Sequence, residues 1–391
     1  MKKLDKVLSI DDLRILAQRR LPAGIFGYVD GGAEDQETVR LNRQGFANWA
    51  FVPHILTDVS KRSLAASLFG HTYSIPVGIS PMGVSGLCWY EGDLALARAA
   101  AQVNVPAVLS AASSISLEEV ARANPDIWYQ AYLPADLAVI RPLLRRVQNA
   151  GIRVLVVTVD VPIASTRENE LRNGFSIPLR PGWRLAYSGL VRPAWLANTF
   201  FRTLMHRGIP YFENFTAERG GPIIAAPKKD HRAGRAAMSW NEIRQIRDLW
   251  PGKLIIKGVL RPQDAKQAQH VGADAIVVSN HGGRQLDGSM AAIDALPGIV
   301  AAVDAMTIII DSGFRRGTDV LKALCLGANF VMVGRPAMYG LAAAGTAGAS
   351  RAFELLRKEI DINLALLGAR KIEDLNPDYL VRAGLQQAKA I

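Results

Sequence analysis

Eight short apolar runs recur along this chain, and stretches with helical periodicity separate them. Such runs have the composition of strands buried in a parallel sheet. They lie at Pro76–Ile79, Val105–Leu109, Ile127–Ala131, Val154–Thr158, Leu254–Ile256, Ala275–Val278, Thr307–Ile310 and Phe330–Val333. The intervening helices are predicted at Asp93–Ala101, Leu117–Ala123, Leu137–Ala150, Trp240–Leu249, Pro262–Val271 and Thr318–Leu326. Eight alternating units predict an α/β fold, a closed (β/α)8 TIM barrel. The alternative is an open doubly wound sheet, but no GxGxxG motif follows the first strand.

Two regions fall outside this repeat. Residues 9–30 are predicted as one helix, with Ser9 and Asp12 as a capping box, and an N-terminal arm continues to about residue 70. Residues 168–238 interrupt the repeat between the fourth and fifth strands. We therefore expect residues 1–391 to form a single barrel domain that carries a helical arm and an insertion.

Polar residues accumulate just after the apolar runs. Barrels of this kind place their chemistry at the carboxyl ends of the strands, so these side chains are candidates for an active site. In chain order they are Ser80, Pro81, Met82 and Gly83, then Ser110, Gln130, Tyr132, Thr158, Asp160, Lys257, Ser279, His281, Arg284, Asp311, Gly313, Arg315, Gly334 and Arg335.

The turn after the sixth strand contains the most reactive pair. His281 and Arg284 lie three residues apart around two glycines. A fixed cation can hold an anionic substrate while the imidazole takes a proton from it. Asp160 is a candidate partner for a protonated His281, or alternatively a helix cap. Lys257 either enters the barrel mouth, where it could stabilise negative charge, or extends out to solvent.

The last two turns favour a phosphate site. Asp311, Gly313, Arg315, Gly334 and Arg335 supply backbone N–H groups and guanidinium groups after strands seven and eight, where barrels often bind phosphate. The alternative is ordinary turn glycines with surface arginines.

Composition narrows the class of protein further. The formal net charge of +11 suits nucleic acid, an anionic membrane surface or anionic small molecules. Because the histidines are scattered, we expect no protein-bound metal, and Cys88 and Cys325 are expected to be buried thiols. Neither a signal peptide nor a membrane-spanning run is predicted. No nucleic-acid-binding motif is present, and we expect no nucleic-acid partner.

Several motifs agree in order and spacing with one known family. They are Gly32–Asp35, Thr158–Asp160, Ser279–Asp287 and Asp311–Arg315. From about residue 9 to residues 376–380 the chain resembles the FMN-dependent L-2-hydroxy acid dehydrogenases and oxidases. The resemblance implies an FMN-binding barrel that oxidises a small-molecule 2-hydroxy acid to a 2-oxo acid, and a homotetramer. A different FMN-dependent barrel enzyme is the alternative.

The resemblance also assigns roles at the substrate. His281 would be the active-site base, and Asp160 would stabilise its protonated form. Arg284 and Arg167, with the hydroxyl of Tyr28, would hold the substrate carboxylate.

Tyr132 would hydrogen-bond the substrate near its 2-hydroxyl. The resemblance implies a longer set of contacts for the cofactor, in which Lys257 would stabilise the reduced flavin at its N1/O2 edge. Ser279 would contact the flavin or its ribityl chain. The flavin ring would be lined by Pro81, Met82, Gly83, Ser110, Gln130 and Thr158. The ribityl chain and phosphate would be held by Asp311, Gly313, Arg315, Gly334 and Arg335.

The predicted pocket is roomy. Gly83 stands where glycolate-oxidising members have alanine, and Ala112 and Ala164 are small where some members are bulkier. We expect a substrate larger than glycolate, mandelate-like or lactate, with electrons passed to a membrane quinone or a similar acceptor. The alternative is an oxidase that uses oxygen and makes hydrogen peroxide.

The insertion is basic and aromatic. Trp183, Tyr187, Trp195, Phe200 and Phe201 alternate with arginines, and no acidic residue lies between residues 180 and 212. This pattern suits a segment lying in a membrane interface. We therefore expect peripheral contact with the cytoplasmic face of the inner membrane through residues 177–215. An active-site lid or an oligomer contact is the alternative, and residues 228–235 are expected to be a mobile loop.

Overall fold

A computed structural model of the chain describes residues 4–176, 178–180, 182–225 and 234–383. Eight parallel strands form the sheet. They are β1 (Val77–Ile79), β2 (Val108–Ser110), β3 (Trp128–Ala131), β4 (Val154–Thr158), β5 (Lys253–Val259), β6 (Ala275–Val278), β7 (Thr307–Ile310) and β8 (Phe330–Val333). Each strand from β2 to β8 pairs with the next, β8 pairs with β1, and a bridge from Ile79 to Ala107 completes the ring. The predicted (β/α)8 barrel is confirmed.

Helices surround the barrel and form the arm and the insertion. They are α1 (Ile10–Arg20), α2 (Ala23–Asp30), α3 (Glu37–Gln44), α4 (Gly92–Val103), α5 (Leu117–Ala123), α6 (Leu137–Asn149), α7 (Glu168–Arg172), α8 (Trp183–Leu190), α9 (Pro193–Trp195), α10 (Arg202–Arg207), α11 (Trp240–Leu249), α12 (Pro262–His270), α13 (Ala292–Val300), α14 (Gly317–Cys325) and α15 (Arg335–Leu366). Short antiparallel pairs join Ala66–Leu68 to His71–Tyr73 and Trp49–Phe51 to Leu380–Arg382.

The barrel interior is filled from one end by alternate strand residues. Val156, Ile255 and Val277 lie in one buried cluster inside the ring, together with Leu68 and Tyr73 of the N-terminal hairpin. Their neighbours along each strand belong to a second cluster, between strands and helices. The hairpin therefore closes the amino end of the barrel, and the polar residues are left at the carboxyl end.

The N-terminal helix is where the prediction was wrong. Residues 9–30 form two helices rather than one, and they separate at Leu21, whose backbone is extended (ψ 146°). The physical reason is Pro22, because a residue before proline is driven out of the helical region. The capping box of Ser9 and Asp12 is confirmed.

Strand boundaries differ from the prediction at two places that matter. β2 begins at Val108, after Pro106, rather than at Val105. β5 extends to Val259, beyond the predicted end at Ile256, so Lys257 is part of the strand. Both predicted free thiols, Cys88 and Cys325, are buried.

The insertion packs one face onto the body of the protein. The indole N–H of Trp195 donates to the carbonyl of Leu87 (2.7 Å), and Arg207 forms ion pairs with Glu91 and Glu119. Trp195 is thereby buried, unlike the other aromatic residues predicted with it. The opposite face of the insertion is exposed. The large apolar side chains there are Trp183, Tyr187, Leu190, Phe200, Phe201, Leu204, Met205 and Ile209.

The end of the range 177–215 belongs to the body. Asn214 is fully buried: its side chain binds the backbone of Leu117 and Ile115, and its carbonyl accepts from Tyr129. In the described part of the chain, no helix is long and apolar enough to cross a membrane. Residues 226–233, which include most of the loop predicted at 228–235, lie outside the described residues.

Candidate active site

Strand alternation builds the floor of the site. Side chains two residues apart on a strand point to the same face. The positions two residues after the inward-facing Val108, Trp128, Val156, Ile255 and Val277 therefore also face inward. These next inward positions are Ser110, Gln130, Thr158, Lys257 and Ser279. All five are buried. Alternation thus converts an apolar barrel interior into a polar floor at the carboxyl end.

Lys257 is the charged centre of this floor. It is 4% exposed, so it does not extend to solvent. Its Nζ donates to Ser279 Oγ (2.7 Å) and pairs with Asp311 Oδ2 (3.1 Å). Burial alone would lower the pKa of Lys257, but the carboxylates of Asp311 and Asp160 reverse this and raise it above its usual range. The lysine therefore stays protonated at neutral pH.

His281 stands at the edge of the floor on a tight turn. It and the next two residues have positive φ (58°, 66° and 75°), and a Cβ at Gly283 would lie 2.7 Å from the backbone N of Val39. His281 Nδ1 lies 2.9 Å from Asp160 Oδ1. Burial opposes ionisation of Asp160, yet His281 and Lys257 together lower its pKa below the usual range. The carboxylate therefore fixes the ring with Nε2 free to act as a base.

Tyr132 faces the other nitrogen of this ring. Its Oη lies 3.5 Å from His281 Nε2. Burial, followed by the charge of Asp160, raises the pKa of Tyr132 to about 12. The phenol thus remains a neutral hydrogen-bond donor beside the base across the physiological range.

Two arginines share a buried carboxylate beside Tyr28. Arg284 donates to Glu170 Oε1 (2.9 Å), and its guanidinium lies 4.6 Å from the centre of the Tyr28 ring. Arg167 lies 3.6 Å from the same Glu170 oxygen and donates to Gln285 Oε1 (3.0 Å). Burial and the neighbouring Arg284 lower the pKa of Arg167. Two cations against one carboxylate leave this wall positive, as an anionic substrate requires.

Glu170 is a site residue that the sequence analysis missed. It is 8% exposed and belongs to α7, just after the fourth barrel strand's loop. Its spacing of three residues from Arg167 is a helical ion-pair spacing and could have indicated it. Arg235 was missed as well, because it was assigned only to a loop.

Some of the hydrogen-bond donors at the predicted phosphate site are engaged by the protein's own backbone. Arg335 donates to the carbonyls of Val29 (3.2 Å), Gly282 (2.9 Å) and Gly31 (2.7 Å), and burial lowers its pKa to about 10. Arg315 donates one N–H to the carbonyl of Phe314 (2.8 Å). Arg335 therefore ties the His281 turn to the N-terminal arm, in addition to facing the cavity.

One cavity joins these groups. Its volume is about 570 Å³, within the range of small-molecule and cofactor sites. The predicted residues that line it are Tyr28, Ser80, Pro81, Met82, Gly83, Ser110, Tyr132, Arg167, Lys257, His281, Arg284, Asp311, Gly313, Arg315, Gly334 and Arg335. Gln130, Thr158 and Ser279 are buried in the floor next to this lining, and Asp160 is partly buried beside His281. Among the described residues, no cluster of histidine, cysteine or carboxylate side chains is arranged to hold a metal.

The floor has unmet polar groups that fit a polar ring. Within the described residues, Gln130 Nε2, Thr158 Oγ1 and Asp160 Oδ2 are buried and have no hydrogen-bond partner. Such atoms are costly unless something binds them. A flat cofactor with hydrogen-bonding edges and a phosphate tail fits this floor together with the glycine- and arginine-rich turns of β7 and β8. The fold and site thus define a barrel enzyme whose cavity can hold a polar cofactor beside a histidine base.

Comparison with known proteins identifies the family. The model of the family described as FMN-dependent dehydrogenase matches residues 17–382. (S)-mandelate dehydrogenase from Pseudomonas putida is 39% identical over 380 residues, which cover 97% of this chain and 95% of that protein. L-lactate dehydrogenase from Pectobacterium atrosepticum is 40% identical over 378 residues, 95% of this chain and 96% of that protein. This chain belongs to the FMN-dependent dehydrogenase family.

A solved structure is similar over the same extent. The crystal structure of the monotopic membrane protein (S)-mandelate dehydrogenase superposes with a TM-score of 0.88 at 38% identity. The match covers 97% of this chain and 100% of that one. FMN, expected from the sequence, is the cofactor of the family.

Proposed function

We propose that this enzyme oxidises an L-2-hydroxy acid to the corresponding 2-oxo acid, with FMN as its cofactor. The observation that carries the proposal is the placement of His281. Nδ1 is held by Asp160 at 2.9 Å, and Nε2 faces the cavity beside Tyr132 at 3.5 Å. Two guanidinium groups on the same cavity suit a substrate carboxylate. The names of the mandelate and lactate dehydrogenases support the same substrate class.

His281 takes a proton from the substrate through Nε2. The Asp160 carboxylate accepts the Nδ1 hydrogen bond, so it orients the ring and stabilises the imidazolium that forms. Tyr132 donates its hydroxyl hydrogen to the substrate near the 2-hydroxyl oxygen. Arg284 and Arg167, with the Tyr28 hydroxyl, hold the carboxylate and so fix C2 against the base.

Bound FMN supplies the acceptor for the two electrons that leave the substrate. Ser110, Gln130, Thr158, Ser279 and the segment 81–83 would hold its ring. Lys257 keeps a positive charge at that floor and can offset negative charge on the ring. Asp311, Gly313, Arg315, Gly334 and Arg335 would hold the ribityl chain and phosphate, the last two at the N-terminus of the long helix α15.

The pocket favours a substrate larger than glycolate. A Cβ at Gly83 would lie 2.8 Å from the Cβ of Ala112 and 3.5 Å from Tyr28 Oη. Glycine at 83 and alanine at 112 therefore leave space next to the carboxylate site, and Ala164 lines the same cavity. We infer a mandelate-like substrate or lactate.

We also infer peripheral membrane attachment through the insertion, at the cytoplasmic face of the inner membrane. The exposed face of residues 183–209 is apolar and aromatic, and it carries arginines but no carboxylate. Such a face suits an anionic lipid interface. The similar monotopic membrane protein supports this assignment. A membrane quinone or a similar acceptor would then be close at hand, and the homotetramer remains a prediction.

Anaerobic reduction of the purified yellow protein tests the proposal. Glycolate, lactate and mandelate are added in both enantiomers where they exist, and flavin absorbance is followed. We expect the S enantiomers of mandelate or lactate to bleach the flavin fastest. A protein that no 2-hydroxy acid bleaches would contradict the proposal. Hydrogen peroxide formed in stoichiometric amounts on admitting air would favour the oxidase alternative over a quinone-linked dehydrogenase.

A further inference from the structure

Arg235 lies in the cavity although it belongs to no strand of the barrel. It begins a short turn, Arg235–Ala237, that leads into α11. The preceding Gly234 has φ +80°, and its carbonyl accepts a hydrogen bond from the N–H of Ala135 (3.0 Å), in the loop after β3. This bond holds the Arg235 backbone over the barrel mouth. The residue is 7% exposed and lines the same cavity as His281 and Arg284.

The guanidinium of Arg235 lies against the aromatic wall of the site. Its central carbon is 4.6 Å from the centre of the Tyr132 ring and 5.7 Å from that of Phe215. Tyr132 Oη is in turn 3.5 Å from His281 Nε2. A cation thus lies against the phenol ring whose hydroxyl faces the base. A guanidinium stacked on an aromatic face keeps its N–H donors at its edge, where they can bind an oxygen acceptor.

This position differs from that of the carboxylate-binding arginines. Arg167 and Arg284 are grouped around Glu170, and Arg284 also lies on Tyr28. Arg235 contacts Tyr132 and Phe215 instead. In the proposed binding mode, Arg167 and Arg284 hold the substrate carboxylate and C2 faces His281. The side chain of the substrate is then the group left to contact the wall formed by Tyr132, Phe215 and Arg235.

We propose that Arg235 binds the side chain of the substrate and selects 2-hydroxy acids whose side chain carries an oxygen acceptor. A hydroxyl on an aromatic ring or a second carboxylate would be preferred over an apolar group of the same size. The inference rests on the proposed function and names the substrate class more closely. Sites built to hydrogen-bond a substrate group discriminate strongly against analogues that lack it. We expect a preference of at least about tenfold in kcat/KM.

Two pairs of size-matched substrates test the proposal on the FMN-loaded enzyme. The first pair is 4-hydroxymandelate and 4-methylmandelate, and the second is malate and 2-hydroxy-4-methylpentanoate. Flavin reduction gives kcat/KM for each compound. Binding of the corresponding 2-oxo acids, followed by perturbation of the oxidised flavin spectrum, gives affinities that do not depend on turnover. We expect the oxygen-bearing member to be preferred in at least one pair, in both measurements.

The variants Arg235→Met and Arg235→Lys identify the residue responsible. We expect Arg235→Met to abolish the preference and Arg235→Lys to retain part of it. Absence of a preference in both pairs, or an equal loss for both members in Arg235→Met, would overturn the proposal, the latter because Arg235 would then act through Tyr132. If no 2-hydroxy acid bleaches the flavin, the proposed function itself fails; bleaching without any preference removes only the role of Arg235.

Discussion

The pair formed by Asp160 and His281 depends on a balance between burial and charge. A buried carboxylate would normally be driven toward its neutral form, but His281 and Lys257 keep the pKa of Asp160 low. Asp160 therefore stays ionised at neutral pH and can hold a protonated imidazole. Lys257 stays charged for the matching reason, since Asp311 and Asp160 surround it. The proposed chemistry requires both charged forms.

Replacing Asp160 with asparagine should slow catalysis without removing FMN. Asparagine has the same shape but cannot stabilise the imidazolium, so we expect the rate of flavin reduction to fall by roughly 10²–10⁴. Stopped-flow reduction under anaerobic conditions measures the rate, and the flavin absorbance of the purified variant serves as the control. A yellow Asp160→Asn protein reduced at the wild-type rate would show that the carboxylate has no such role.

Glu170 should compete with the substrate carboxylate for the two arginines. In Glu170→Gln two partly buried guanidinium groups lose their shared counter-charge, which lowers stability. A bound carboxylate then restores that charge. We expect a lower melting temperature than wild type, but a larger increase on adding oxalate. Thermal unfolding with and without oxalate measures both effects, and equal increases in the two proteins would refute the competition.

At the scale of elements, the site residues on strands could be predicted more completely than those on loops and insertions. Inward-facing Ser110, Lys257 and Ser279 follow from the alternation of side chains along a strand whose apolar residues are already assigned. Glu170 and Arg235 reach the cavity from helix and turn positions fixed by contacts distant in sequence, such as that of Gly234 with Ala135. The break in the N-terminal helix could have been predicted, because Pro22 in the sequence disfavours a helical conformation at the residue before it.

The insertion should bind membranes through its exposed aromatic face. Full burial of a large apolar side chain is worth about 1.5–3 kcal/mol, so the triple change Trp183→Ser, Tyr187→Ser and Phe201→Ser should weaken vesicle binding at least 100-fold. Flavin reduction should be unchanged. Cosedimentation with anionic phospholipid vesicles measures the binding.

A matched control is available on the N-terminal arm. Ile55 and Leu56 are also exposed, at 80% and 100%, but lie outside the insertion. Ile55→Ser with Leu56→Ser should sediment with vesicles as wild type does. Membrane attachment through residues 183–209 is wrong if the triple variant sediments equally well.

At the scale of the whole molecule, the barrel brings eight strand ends to one opening. This convergence is why a sequence pattern could predict both the fold and most of the lining of the site. The same pattern could not predict that Arg335 donates hydrogen bonds to three backbone carbonyls, because these bonds depend on how the N-terminal arm crosses the opening. The size of the substrate side chain that the cavity accepts also depends on loop residues, such as Gly83 and Ala112.

Stability should fall at alkaline pH. Burial raises the pKa of Cys88 and of Cys325 to about 12 in the folded protein, whereas an unfolded thiol has a pKa of about 8.5. Their contribution is therefore complete below about pH 8.5 and declines as the pH rises toward 12. By pH 10 each thiol should cost about 2 kcal/mol. Urea unfolding at pH 7.5 and pH 10 measures the loss. Cys88→Ala with Cys325→Ala should make the loss between the two pH values smaller, and an unchanged loss would contradict the assignment.

The rate of anaerobic flavin reduction in His281→Asn tests the central claim most directly. The variant is purified with FMN bound and mixed with the best 2-hydroxy acid substrate of the wild-type enzyme. Because the proposed mechanism makes His281 the base that takes the proton from the substrate, we expect unchanged flavin absorbance and a reduction rate at least about 10²-fold slower. Reduction of the His281→Asn flavin at a rate close to that of the wild type would contradict it.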